Sequence, residues 1–320
     1  MLLAFPILWA AGALAGLLYA QARGIPWSTA AAALPAVLVE ISFYYSLGSE
    51  RIRARLETLA PWVLALGLTA AAVIPYTLAA LAFGTFQWRA FAVLTALAAG
   101  ASFWYVILPH RAVADIFFLI AMAAVWLSKV IPHQYADPYP KLQLTVLGQL
   151  MWFRTGLFSM ISVRHSRDIG FGFWPRASEW KIGTLYFLAL LPVAAGLGWV
   201  LGFARPHLRY HGWERLPIAT VGTFFGVLWV LALGEEFFFR GLLQRWLEEW
   251  LKNQWAALIL ASALFGSVHL WFAKFPNWRF AALAGVAGIF YGLAFRQARS
   301  IRASMVTHAL TVTTWRIFFS

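Results

Sequence analysis

The sequence LALGEEFFFRGLLQRWLEEW, at residues 231–250, places two adjacent carboxylates and a guanidinium in its apolar first half, ahead of a more polar end. These charged groups belong to Glu235, Glu236 and Arg240. Charged side chains are costly in apolar surroundings unless they are paired, so the cluster predicts a functional site within a membrane. Glu236 and Arg240 are four residues apart, and a helix places them on one face as a charge-assisted pair. Glu235 is rotated by about 100° from Glu236 and must face a different partner.

Apolar composition extends along the whole chain. Of its 320 residues, 62% are hydrophobic and 12% are charged, whereas soluble proteins are about 45–50% apolar and about 25% charged. Apolar runs of about 20 residues, the length that crosses a bilayer, occur roughly ten or eleven times. We therefore predict an all-α fold, a polytopic transmembrane helix bundle of about ten to eleven spans.

The charge and the cysteine count exclude several function classes. The net charge is +13, but the basic residues are scattered through short loops, which favours contact with the lipid bilayer and not with nucleic acid. The absence of cysteine excludes disulfides, thiolate metal sites and a cysteine nucleophile. We expect an integral, multi-pass protein of a bacterial-type inner membrane.

Basic residues are unevenly distributed between alternate loops, and this predicts the topology. The richer set of loops contains, among others, Arg51, Arg53, Arg55, Lys252, Arg296, Arg299 and Arg302. Positively charged loops are retained in the cytoplasm. The positive-inside rule therefore places this set, and the N-terminus, on the cytoplasmic side.

A polar segment at residues 164–183 divides the chain. It is too polar to span a membrane, and its mixture of basic and aromatic residues is typical of an interfacial segment. We predict two domains, with N-terminal transmembrane helices of unknown role at 1–165 and the domain that carries the charged cluster at 166–320. In the first domain, Glu40 is expected to pair with a polar or basic residue of a neighbouring helix, and a substrate or ion role is the alternative.

Two histidines lie in later apolar runs. His269 follows Phe265 with an FxxxH spacing, and polar residues upstream predict a helix end and a turn near Asn253. Glu235 lies about as far before this turn as His269 lies after it, so a helical hairpin places the two at nearly the same depth. His308 lies in the last apolar run. One glutamate and two histidines from three segments are therefore expected to converge.

The motifs GEEFFFRG, FxxxH and a late histidine resemble the CPBP family. This family comprises the type II CAAX prenyl proteases and the bacteriocin-immunity group of intramembrane endopeptidases. Its pattern is EExxxR, then FxxxH, then HxxxN or a close variant. The resemblance covers roughly residues 180–318 and implies a CPBP-like intramembrane protease domain at 166–320, acting on a membrane-anchored protein or peptide.

The resemblance also implies roles for individual residues. It implies that Glu235, His269 and His308 are catalytic. It implies that Glu236 and Arg240 give structural support. The sequence is compatible with this because it has no HExxH motif, no nucleophilic serine in a GxSxG turn and no pair of transmembrane aspartates. A glutamate that activates water with help from histidine remains.

Other chemistries and functions stay open at this level. Glu235, His269 and His308 are a permissible ligand set for zinc, although the resemblance favours a mechanism with no metal or other cofactor. A catalytically inactive membrane scaffold or immunity factor is one alternative function, and a transporter is another. A transporter is expected to show broken helices in corresponding halves, and the sequence shows no such pattern.

The third motif departs from the family. The resemblance implies that His308 and an asparagine four residues later bind the oxyanion. In this sequence Val312 occupies that later position, and it cannot donate a hydrogen bond. Neighbouring hydroxyls are the candidate substitutes: Thr307, Thr311 and Thr313. One oxyanion donor is worth about 2.7–4 kcal/mol in catalysis, so the departure predicts a slow enzyme, a different donor or no catalysis.

Overall fold

The structure, a computed structural model, describes the residues 4–166, 169–203, 207 and 215–319. No residue in these ranges lies in a β-strand, and the predicted all-α class is confirmed. The chain divides into two compact units, Met1–Ser166 and Arg167–Ser320. The roles assigned to residues 1–165 and 166–320 stay predictions.

The N-terminal unit is built from seven α-helices in its described part. They are α1 (Ala4–Arg23), α2 (Trp27–Gly48), α3 (Glu50–Leu56), α4 (Pro61–Ala82), α5 (Trp88–Ile107), α6 (Ala112–Leu127) and α7 (Thr145–Phe158). A π-helical stretch, Ser159–Val163, continues α7. The apolar runs become helices because only a helix or a closed barrel satisfies the backbone hydrogen bonds of a chain inside lipid.

The described part of the C-terminal unit also contains seven α-helices. They are α8 (Ala177–Val200), α9 (Arg215–Gly226), α10 (Leu233–Glu236), α11 (Arg245–Leu251), α12 (Gln254–Val268), α13 (Trp278–Ala298) and α14 (Ile301–Phe318). Two π-helical stretches, Val227–Ala232 and Phe237–Gln244, connect α9, α10 and α11 into one continuous helix. The charged cluster therefore lies on a helix that contains two π-helical stretches. Such stretches often occur at functional sites.

Nine helices in the described residues are long and apolar enough to cross a membrane. They are Phe5–Arg23, Trp27–Gly48, Pro61–Ala82, Trp88–Ile107, Thr145–Val163, Ala177–Val200, Leu216–Leu251, Gln254–Trp271 and Trp278–Ala298. Ala112–Leu127 is apolar but shorter, and α14 carries polar residues along its length. The chain is a polytopic membrane protein, and these two helices account for the difference from the ten or eleven spans expected.

The turn predicted near Asn253 lies between α11 and α12. Lys252 ends α11 in the left-handed backbone region, with φ 52°. The Asn253 side chain accepts hydrogen bonds from the backbone N–H groups of Trp255 and Ala256, at 3.0 and 3.1 Å. An asparagine in this position satisfies N–H groups that have no partner within the helix, so it stabilises the N-terminal end of α12.

Glu40 is explained by a partner within the N-terminal unit. Its two carboxylate oxygens accept hydrogen bonds from Arg154 Nε and Nη2, at 2.9 and 3.1 Å. Both side chains are 1% exposed. The expected pairing with a basic residue of another helix is confirmed, and it joins α2 to α7.

Close packing of α8 on α14 fixes the position of the last helix. Glu179 near the start of α8 pairs with Arg302 near the start of α14, at 2.9 Å. One turn further along α8, a Cβ atom on Gly183 would lie 2.6 Å from the Ala303 carbonyl oxygen. The Gly183 carbonyl also accepts a hydrogen bond from the Thr307 hydroxyl at 3.0 Å. The residue before His308 is thereby held directly against α8.

The interfacial segment that precedes α8 also packs on α14. The Ile169 carbonyl accepts a hydrogen bond from the Ile301 N–H at 2.8 Å. The Ser300 hydroxyl donates to the carbonyl of Gly170, a residue with φ +62°. Trp174 in the same segment is 59% exposed. The segment therefore covers the start of α14 and still presents an aromatic ring to its surroundings, as an interfacial segment does.

Candidate active site

Glu236 and Arg240 form the buried pair expected from their spacing. Neither side chain is exposed, and Arg240 Nη1 and Nε each lie 3.2 Å from a Glu236 oxygen. Arg240 Nη2 also donates to the Gly288 carbonyl on α13 at 2.9 Å. Its guanidinium lies 4.6 Å from the Phe265 ring centroid, a cation–π distance. Arg240 therefore links the glutamate helix to α12 and α13.

His308 contacts both glutamates, and the contact to Glu236 is the closer one. His308 Nδ1 lies 2.8 Å from Glu236 Oε1, a hydrogen bond in which the ring N–H donates to the carboxylate. His308 Nε2 lies 3.8 Å from Glu235 Oε2. Because the bond to Glu236 fixes the imidazole, it directs Nε2 toward Glu235. Sequence reasoning paired Glu236 with Arg240 alone, and no local spacing indicates this second partner.

Glu235 faces away from the pair, as its rotation on the helix predicted. Its side chain is 28% exposed, whereas that of Glu236 is fully buried. Its Oε2 atom is buried and has no hydrogen-bond partner in the described part of the chain. A buried acceptor without a partner is unfavourable by about 1–3 kcal/mol. Glu235 thus keeps an oxygen available for a molecule that enters the site.

His269 follows α12 on a 3-10 turn, His269–Trp271. Its Nδ1 lies 2.7 Å from the Phe265 carbonyl oxygen, which only accepts, so the Nδ1–H donates. The ring also packs against the rings of Phe265 and Phe280, with centroids 4.7 and 5.2 Å apart. Phe265 therefore fixes the His269 ring, which gives the FxxxH spacing a physical reason. Nε2 is the ring nitrogen for which the described residues provide no hydrogen bond.

One cavity of about 280 Å³ brings the three candidate catalytic side chains together. Glu235, His269 and His308 all line it. The remaining wall is predominantly apolar and comes largely from α8, α13 and α14, with Leu191 and Ala284 as examples. The convergence predicted from matched depth is therefore present in the structure. The catalytic roles of the three residues stay predictions.

Val312 and one of the three candidate threonines also line the cavity. Val312 is there because it lies one helical turn after His308. Thr311 is beside it, and its hydroxyl donates to the Thr307 carbonyl at 2.7 Å. The cavity wall in the described residues does not include Thr307 or Thr313. Of the three candidate threonines, Thr311 is therefore the one that lies at this site.

Tyr291 is a cavity residue that sequence reasoning did not identify. Its ring is 2% exposed and stacks on the His308 ring, with centroids 4.6 Å apart and planes at 14°. Its hydroxyl interacts with the side chain of Thr311. A tyrosine in a transmembrane run is a usable signal, because a buried phenol needs a hydrogen-bond partner. Tyr291 holds the imidazole plane and adds an O–H group to the cavity.

The zinc alternative has no ligand cluster in the described residues. No three histidine, aspartate or glutamate side chains there are arranged to hold a metal ion. His308 lies near Glu235 and Glu236, whereas the bonded partner of His269 is a backbone carbonyl. Metal dependence therefore stays a question for chelation experiments.

These features define an integral membrane protein with a carboxylate, imidazole and guanidinium cluster beside an apolar cavity. Residues 217–314 match the family described as type II CAAX prenyl endopeptidase, Rce1-like. The matched residues include all five members of the predicted site. The resemblance predicted from the motifs is confirmed over this segment, and the family is one of proteases. No curated protein and no solved structure matches the chain.

Proposed function

We propose that the C-terminal unit is an intramembrane endopeptidase in which Glu235 activates water. The observation that supports this proposal best is the position of Glu235 Oε2. It is buried, has no hydrogen-bond partner among the described residues, lies 3.8 Å from His308 Nε2 and borders an apolar cavity. The match of residues 217–314 to a protease family adds to this support.

The geometry suits a water molecule shared by Glu235 and His308. A water about 2.8 Å from each atom, the usual hydrogen-bond length, fits beside two atoms that are 3.8 Å apart. Glu235 takes a proton from this water as the water oxygen attacks the peptide carbonyl carbon. The same proton then passes to the leaving amine nitrogen as the C–N bond breaks. The products are a carboxylic acid and an amine.

The contacts favour different roles for the two histidines. Glu236 accepts the Nδ1–H of His308, so Nε2 is the atom that positions the water. The Phe265 carbonyl accepts the Nδ1–H of His269, so Nε2 of that ring can donate to the substrate oxygen only when it also carries a proton. Thr311 and Tyr291 carry the neighbouring hydroxyls, and the Thr311 hydroxyl would have to leave the Thr307 carbonyl, to which it donates at 2.7 Å, in order to aid the developing oxyanion.

We infer a membrane-anchored protein or peptide as the substrate. The largely apolar cavity wall suits a hydrophobic chain, and its carboxylate and imidazole groups suit a peptide bond. The family description points to prenylated peptides. An isoprenoid-modified peptide is therefore the first substrate to test. We place the enzyme in a bacterial-type inner membrane.

A catalytically inactive scaffold or immunity factor is a second candidate function. The observation that favours it is Val312, which presents an alkyl group to the cavity where the family pattern expects an amide donor. The buried network of Glu236 and Arg240 is compatible with either function, because such networks also specify helix packing.

Membrane proteomics tests the proposal in cells. Cells with the wild-type protein are compared with cells that carry Glu235→Gln, and Glu249→Gln on the exposed end of the same helix is the control. Endopeptidase function predicts membrane peptides that accumulate only with Glu235→Gln. Identical peptide profiles for all three would support the scaffold.

A further inference from the structure

A second cavity, of about 610 Å³, lies at another place in the C-terminal unit. It is lined where α11 turns into α12 and where α13 ends. Three arginines and one carboxylate carry the charge of its wall: Arg245, Arg296, Arg299 and Glu248. We call this cavity the arginine pocket. Its net formal charge is positive, so it attracts an anion.

Arg296 has an unused donor in this pocket. Its Nη1 atom is buried and has no hydrogen-bond partner in the described residues. Its guanidinium lies 4.2 Å from the centroid of the Trp255 ring, which holds the plane of the group in place. Meanwhile the carboxylate of the pocket, Glu248, accepts a hydrogen bond from the Gln244 amide at 3.2 Å. The pocket thus contains a preoriented hydrogen-bond donor, Arg296 Nη1, with no acceptor among the described residues.

The arginine pocket lies at the level expected for lipid headgroups. Trp250 and Trp255, on either side of the α11–α12 turn, are 54% and 56% exposed. Exposed tryptophans of this kind concentrate at membrane–water interfaces. Apolar residues also line the pocket, among them Leu293 and Phe295. A ligand with a charged head and an apolar tail fits such a wall better than a small free anion does.

We propose that the arginine pocket binds the phosphate group of an anionic phospholipid. The planar guanidinium fork matches phosphate oxygens with two parallel hydrogen bonds. Basic pockets between transmembrane helices are known to take acidic lipid headgroups. The positive-inside rule places this end of the unit in the cytoplasm, where the anionic leaflet lies. This binding is independent of the proposed proteolysis.

The test measures which lipids stay with the purified protein. Full-length protein is reconstituted in phosphatidylcholine bilayers that contain phosphatidylglycerol, then released into mild detergent for native mass spectrometry. Wild type is expected to retain phosphatidylglycerol in preference to phosphatidylcholine. Arg296→Gln with Arg299→Gln is expected to bind it about 30-fold more weakly, from the usual contribution of two arginines near a headgroup.

The matched control removes two charges near the opposite end of α13, one in the loop before the helix and one in its first turn. Lys274→Gln with Arg279→Gln fits because Arg279 also lies over a tryptophan ring, that of Trp278, at 5.5 Å. This control is expected to retain phosphatidylglycerol as wild type does. If the first double variant does not fold, Arg299→Gln alone changes an exposed side chain and is expected to weaken binding about fivefold.

Two results would overturn the proposal. Equal phosphatidylglycerol retention by wild type and the folded pocket variants would show that the pocket binds no lipid phosphate. Displacement of the lipid by millimolar inorganic phosphate, with the same dependence on Arg296, would assign the pocket to free phosphate and overturn the lipid source. Resistance to inorganic phosphate supports the lipid.

Discussion

The pairing of Glu236 with Arg240 predicts strongly coupled effects on stability. Removal of one partner from a buried ion pair costs roughly 3–5 kcal/mol, because it leaves a buried charge unpaired. A domain of this size loses about 2–4 °C of melting temperature per kcal/mol. Glu236→Ala and Arg240→Ala are therefore each expected to melt roughly 6–20 °C below wild type.

The structure shows that each of these two variants also loses contacts outside the pair. Glu236→Ala removes the partner of Arg240 and also the acceptor for the His308 ring N–H. Arg240→Ala leaves the bond between Glu236 and His308 in place. Arg240→Ala instead removes the bond to the Gly288 carbonyl and the contact with the Phe265 ring, so both variants lose contacts beyond the pair. The double variant is expected to lose less stability than the sum of the singles, with a coupling of about 0.5–3 kcal/mol.

Thermal unfolding in detergent, followed by circular dichroism, measures all three variants. Glu249→Ala is the control, because Glu249 is exposed on the same helix and surface changes usually stay within about 0.5 kcal/mol. If the effects of Glu236→Ala and Arg240→Ala were simply additive, the two residues would not act as a pair. The interpretation of the cluster as structural support would then be wrong.

Three further predictions concern turnover of a membrane-anchored peptide. His269→Ala is expected to abolish proteolysis while the protein stays folded, and wild-type rates would remove His269 from the site. Val312→Asn is expected to raise kcat about tenfold, equal to about 1.4 kcal/mol and within the range of one oxyanion donor. No gain, together with loss of activity in Thr311→Val, would instead identify Thr311 as the donor. A zinc chelator is expected to leave turnover unchanged, and inhibition that added zinc reverses would contradict the metal-free mechanism.

Helical periodicity made the local part of the site predictable. The four-residue spacing of Glu236 and Arg240 determined their pairing, and the 100° rotation of Glu235 determined that it faces elsewhere. The polar residues that end α11 predicted the turn at Asn253, so the shared depth of Glu235 and His269 followed. These inferences depend only on rise and rotation per residue, and two π-helical stretches in the same helix did not disturb them.

Contacts between distant helices were not predictable in the same way. His308 bonds to Glu236, and Gly183 and Thr307 hold its helix, α14, against α8 at one particular height. Tyr291 stacks on His308 for a related reason, since its position depends on how α13 packs. Small residues permit such close approaches, but many small residues occur in this sequence. Their number prevents a choice of the right pairing from sequence alone.

In the N-terminal unit, Glu40 likewise combines a feature that the sequence predicts with one that only tertiary packing determines. An intramembrane carboxylate requires a partner, so a basic or polar neighbour was predictable. The identity of that neighbour, Arg154, depends on the packing of α2 against α7. Physical chemistry therefore established that a pair must exist, and tertiary packing decided which arginine completes it.

Turnover of a prenylated, membrane-anchored peptide by purified Glu235→Gln in proteoliposomes tests the general-base assignment most directly. The amide keeps the size of the side chain but cannot accept the proton of the attacking water. General-base catalysis contributes about 10²–10⁴-fold, so kcat is expected to fall at least about 100-fold while the melting temperature stays near that of wild type. Wild-type turnover by a folded Glu235→Gln protein would contradict the role of Glu235.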